Sequence, residues 1–193
     1  MAVVILFLAH ILFVNLMVGG STLALVYEIV GLRRKRYDAL ARAWAETAEQ
    51  PGMPPLFAAL LKRAGPGKIR SLIEDGADVN QRIDDGGVTA LMWAALDCPD
   101  PAVLQVLLEA GAKVNVSDLD GARALSHAAG SNDNPEVVRV LIDAGANVNA
   151  SDKSGKTALD MALERPKKDK GREKIVELLE NAGARVLGGR KKR

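Results

Sequence analysis

Two hydrophobic rhythms divide the chain. Over residues 2–27 apolar side chains run almost without interruption, about 26 residues or about 39 Å as a helix, enough to cross a bilayer. From residue 56 onward, apolar residues come instead in short blocks at helical spacing, such as Val137-Val138-Arg139-Val140-Leu141-Ile142, each closed by a glycine. The closing phrase recurs as Gly76-Ala77-Asp78-Val79-Asn80, Gly111-Ala112-Lys113-Val114-Asn115, Gly145-Ala146-Asn147-Val148-Asn149 and a weaker Gly183-Ala184-Arg185-Val186. A second phrase keeps step with it: Thr89-Ala90-Leu91, Arg123-Ala124-Leu125 and Thr157-Ala158-Leu159. Two phrases locked to one period of about 33 residues predict a repeat architecture rather than a single globular core.

Each phrase has a local task. The glycine ends a helix by taking a left-handed backbone conformation, and the valine after it begins an extended arm. Asp118-Leu119-Asp120-Gly121 and Asp152-Lys153-Ser154-Gly155 have the form of tight turns. Thr89 and Thr157 cap the next short helix, and Ala94-Ala95 and Ala128-Ala129 let neighbouring helices approach closely. The predicted fold is an all-α solenoid of helix-turn-helix units with β-hairpin fingers, in which no unit buries its apolar face alone.

The apolar run predicts a transmembrane helix over residues 1–32, a basic juxtamembrane helix and the start of a linker over 33–52, about four repeats over 53–186, and a basic tail over 187–193. Pro51-Gly52-Met53-Pro54-Pro55 breaks the juxtamembrane helix and marks the boundary. Residues 56–64 and 68–75 read as the two helices of a first, capping repeat that lacks its hairpin. The last repeat carries about four extra residues in a basic loop, Arg165-Pro166-Lys167-Lys168-Asp169-Lys170-Gly171. The tail, Gly188-Gly189-Arg190-Lys191-Lys192-Arg193, is too glycine-rich and charged to pack.

These phrases resemble the ankyrin repeat family over about residues 56–186. The family pattern runs Thr-Pro-Leu-His, Ala-Ala, an aliphatic helix and Gly-Ala-Asp-Val-Asn. Here Ala90, Ala124 and Ala158 stand where proline is usual, and Met92, Ser126 and Asp160 where histidine is usual. Arg123 replaces the capping threonine, which is expected to weaken that helix start by roughly 1 kcal/mol. The resemblance implies a protein-protein interaction module that uses the concave face of fingers and first helices.

At the N-terminus, Arg33-Arg34-Lys35-Arg36 follows the apolar run directly and nothing basic precedes it. The positive-inside rule then leaves Met1 outside and the repeats in the cytoplasm. Gly19, Gly20 and Ala24 offer a smooth strip for a partner helix, and His10 and Asn15 are polar at membrane depth. The segment from His10 through Gly19, Glu28, Tyr37 and Trp44 looks like the opening helix of the catalytic subunit of bd-type quinol oxidases. That resemblance implies a heme-ligating role for His10. One helix cannot enclose a heme, so the expectation is a borrowed anchor helix with no cofactor. The alternative is an accessory or fusion fragment of a heme-bearing respiratory membrane complex.

Charge is segregated behind the small net value of +2. Residues 64–152 carry 6 Lys/Arg against 14 Asp/Glu, whereas residues 153–193 carry 13 against 6. The single cysteine, Cys98, allows no intrachain disulfide. No Cys/His cluster has metal-ligand spacing, and the glycines end helices rather than open them, so neither a metal site nor a dinucleotide fingerprint is expected. No catalytic residue is expected, and no nucleic-acid partner, for want of an aromatic platform or reading helix. Trp93, His127 and Met161 share one repeat position and are expected to stack between units. The partner-binding candidates are positions that vary while the frame stays fixed. They are the finger tips Asp85, Leu119, Asp120, Ala122, Lys153, Ser154 and Lys156, and the helix ends Leu96, Asp97, Gly130 and Ser131. Acidic Asp85, Asp97 and Asp120 favour a basic or polar partner.

Overall fold

The computed structural model describes residues 53–83, 87–167, 169 and 171–186. Two compact units divide the chain, Met1–Gln50 and Pro51–Arg193. The first lies outside the described residues, and with it the expected transmembrane helix, His10, Gly19, Gly20 and Ala24. No helix among the described residues is long and apolar enough to cross a membrane.

The second unit contains four helix pairs among its described residues. They are α1 (Pro55–Leu61) with α2 (Pro66–Glu74), α3 (Ala90–Asp97) with α4 (Pro101–Glu109), α5 (Ala124–Ser131) with α6 (Pro135–Asp143), and α7 (Ala158–Glu164) with α8 (Arg172–Asn181). First helices pack on first helices, and second on second, so the pairs form two layers along one stack. The first pair begins at Pro55 rather than one residue later, because proline suits the first helical position, where its missing N–H costs nothing. Its first helix also stops at Leu61, ahead of Arg63, whose φ of 51° ends the turn.

Starts and stops follow residue chemistry. The Thr89 hydroxyl accepts from the Met92 amide, Asp100 from Ala102, and Asn134 from Glu136. Thr157 and Asp160 cap each other reciprocally at the start of α7. Arg123 supplies no side-chain cap to α5. At the end of α4, Gly111 turns left-handed at φ 86°, its amide donates to Leu108 O, and the Ala112 amide donates to Leu107 O, both at 3.0 Å. The same pair of bonds closes α2, α6 and α8.

The core lies between the layers. Leu91, Leu104, Leu107, Leu125, Val137, Leu141, Leu159, Ile175 and Leu179 are buried there, and Ala94, Ala95, Ala128 and Ala129 sit where the first helices meet. The fingers are short. Strands β1 (Arg82–Ile83) and β2 (Val88–Thr89) pair antiparallel, Arg82 opposite Thr89, and the next finger closes with a bridge between Ser117 and Arg123.

An asparagine ladder joins the units on the finger side. Asn80, Asn115 and Asn149 donate through Nδ2 to the carbonyls of Gly111, Gly145 and Gly183, each at 3.0 Å. Their Oδ1 atoms accept the amides of Lys113, Asn147 and Arg185 at 2.8–2.9 Å. A second ladder runs through the turns between first and second helices. The Asn132 Nδ2 donates to Ala95 O at 3.0 Å and Cys98 O at 2.8 Å, and the Asn134 Nδ2 to Pro99 O at 2.7 Å.

Candidate partner-binding face

The middle finger is built around Asp118. Its Oδ1 accepts the amides of Asp120 and Ala122, both at 2.9 Å, which forms the turn predicted from Asp-x-x-Gly. Its Oδ2 meets His127 Nε2 on α5 at 2.9 Å, so one carboxylate ties the finger to the first helix of its own repeat. Burial alone would raise the Asp118 carboxyl, but the His127 hydrogen bond and charge, with the Ala122 and Asp120 amides, hold it below the ordinary carboxylate range. In the following finger Asp152 makes the same turn, accepting the Ser154 and Lys156 amides at 2.8 and 2.9 Å. There the residue at the position of His127 is Met161, and the Ser154 hydroxyl donates to the carboxylate instead, at 2.7 Å.

The two fingers are bonded side by side. The Lys153 amide donates to Asp120 O at 2.9 Å, and the Arg123 guanidinium spans from Asn115 O at 3.1 Å to Ser151 O at 3.4 Å. Arg82 makes a similar crossing, from Gly87 O at 3.0 Å to Ser117 O at 3.1 Å.

On this frame the candidate residues separate. Leu119, 56% exposed, stands at the middle tip with exposed Asp120, and exposed Lys153 and Ser154 stand at the next. Ala122 is not at the surface: it is 6% exposed, because its amide closes the turn against buried Asp118. Half-buried Lys156 is held by Glu164, with Nζ 2.8 Å from Oε2. Leu96 and Asp97 are half-buried at the end of α3, where Arg63 grips Asp97 through Nε at 3.2 Å and Nη2 at 2.9 Å. Gly130 is half-buried against Met161, with room for a Cβ 3.6 Å from the Met161 Cβ, and Ser131 is exposed. Asp85 lies outside the described residues. Trp93 is buried, whereas His127 and Met161 are half-buried. Cys98 is buried in the turn after α3, and burial pushes its thiol up, which disfavours the reactive thiolate.

Sequence reasoning missed the residues that join the units. Asn80, Asn115 and Asn149 stand in the recurring phrase itself, so their periodicity was the available signal. Arg165 gave none: read as part of a basic loop, it is 1% exposed in its side chain and bonded across to the preceding repeat. Among the described residues, no group of three or more His, Cys, Asp or Glu side chains is placed to hold a metal ion.

A family profile described as ankyrin repeats, in three copies, matches residues 91–187. No curated protein matches the chain. Ankyrin repeats have a protein-protein interaction role, in keeping with a rigid frame that displays variable tips. With the profile covering half of its length and the repeats closing with the same helix stops and asparagine rungs, the chain belongs to the ankyrin repeat family.

Proposed function

We propose that the chain is a membrane-anchored, non-catalytic scaffold or adaptor that recruits a protein partner to the concave face of its fingers and first helices. The observation that carries this reading is the pair of adjoining, internally braced tips, Leu119-Asp120 and Lys153-Ser154, joined by the Lys153 amide to Asp120 O bond. Rigid tips lose little freedom on binding, which favours their use as contacts. The excess of acids over bases in residues 64–152 suits a basic or polar partner. The apolar run over residues 2–27, followed by Arg33-Arg34-Lys35-Arg36, supports a single-pass anchor with the N-terminus outside and the repeats in the cytoplasm. Gly19, Gly20 and Ala24 would serve a helix partner within the membrane. The accessory-subunit alternative, with heme at His10, rests on its short resemblance alone.

The binding face is tested with a photo-crosslinking residue placed in the full chain in native membranes, at Leu119 or at exposed Gln105 of α4. Crosslinked protein is expected from position 119 and not from 105. Adducts from 105 alone would move the partner to the opposite face.

A further inference from the structure

Arg165 is buried, with only 1% of its side chain exposed, yet fully bonded. Its Nε lies 2.7 Å from Asp169 Oδ2, and its Nη2 lies 2.6 Å from both Asp169 Oδ2 and Asp133 Oδ1. Its Nη1 donates to the carbonyls of Asn132 and Ala129. Every guanidinium nitrogen thus has an acceptor, although the side chain is almost wholly removed from water. A buried cation of this kind is retained only where its partners are complete.

The partners lie in two repeats. Asp169 belongs to the enlarged loop before α8, whereas Ala129 lies near the end of α5 and Asn132 and Asp133 in the turn after it. In the repeat before, Asn132 reaches the corresponding carbonyls of Ala95 and Cys98 with a neutral amide. Arg165 therefore replaces a two-donor rung by a charged fork, and the enlarged loop brings Asp169 to meet it. Gly171 sits so close to the same turn that a Cβ there would fall 2.5 Å from Asp133 O. Loop and turn are in direct contact at both ends of the enlarged segment.

We propose that Arg165 is a clamp that holds the last repeat on the stack, so that its loss frees α7 and α8 while the rest stays folded. In a linear array each unit is stabilised by its neighbours. Among the described residues the last repeat packs on the one before it, α7 against α5 and α8 against α6, and the charged fork lies in that interface. If the fingers form the binding face proposed above, the clamp also keeps Lys153 and Ser154 in line with Leu119 and Asp120.

Hydrogen exchange on the full chain, followed by mass spectrometry without any partner, tests the clamp independently of the binding reading. Arg165→Met is expected to speed exchange over residues 158–181 at least about tenfold, because the Asn132 and Ala129 carbonyls and the largely buried Asp169 carboxylate lose their donors in the joint. Exchange in α3 and α4 should change less than about twofold. Arg165→Lys keeps the charge but not the fork and should fall between. Asp133→Asn with Asp169→Asn, which leaves the arginine in place, should give the same local pattern. Unchanged exchange over 158–181 in Arg165→Met or in the double variant overturns the proposal, as does equal acceleration of all the helices.

Discussion

Asp118 shows how one residue can serve two levels of structure. Its Oδ1 forms the turn and its Oδ2 anchors that turn to α5 through His127. Because its carboxyl is held below the ordinary value near 3.9, the stabilisation is complete above that value and is lost as pH falls through the folded one. The stability difference between the native chain and Asp118→Asn should be widest above about pH 5 and shrink toward acid. Urea unfolding of both across that range checks this, and a difference constant down to pH 3 would show that the charge is not what matters. Arg123 was readable only by half. The missing cap could be inferred from its identity, and α5 indeed starts without one. Its span across two fingers could not be inferred, since Ser151 O is 28 residues away and any long side chain has many places to reach.

At the scale of elements, the pattern carried the fold because each signal has one structural answer. Gly111 suits the left-handed turn where φ is 86°, and the Leu and Val spacing of α6 presents one face to the core. Leu125, 2% exposed in α5 and packed between the neighbouring first helices, represents that core. Leu125→Ala should cost about 2–5 kcal/mol by chemical denaturation. A loss under about half a kcal/mol would place it outside the packed interior. The turns between helices were far less legible. Asn132, Asn134 and Arg165 look like ordinary loop residues, and because α7 has 7 residues where α5 has 8, Arg165 falls out of phase with Asn132. All three reach main-chain carbonyls one repeat upstream, which carry no residue signature, and Arg165 adds the carboxylates of Asp133 and Asp169 to them. The exposed tips were legible as variable positions, but burial at Ala122 follows from the turn geometry rather than from its identity.

For the whole molecule, orientation governs which partners the repeats can meet. A reporter active only in the periplasm, fused after Arg193, should stay silent, and neutralising Arg33, Arg34, Lys35 and Arg36 should release part of its activity. Full activity in the unmutated fusion would place the repeats on the other side. Wherever they reside, the asparagine ladder sets how such a stack can change over time. Each rung reads only the main chain of the next unit, and the residues whose amides it binds, Lys113, Asn147 and Arg185, are three different kinds. The joint is blind to the side chains it passes. The surface beside each rung is therefore open to redecoration while the rungs stay the same, so recognition can drift and the architecture need not follow.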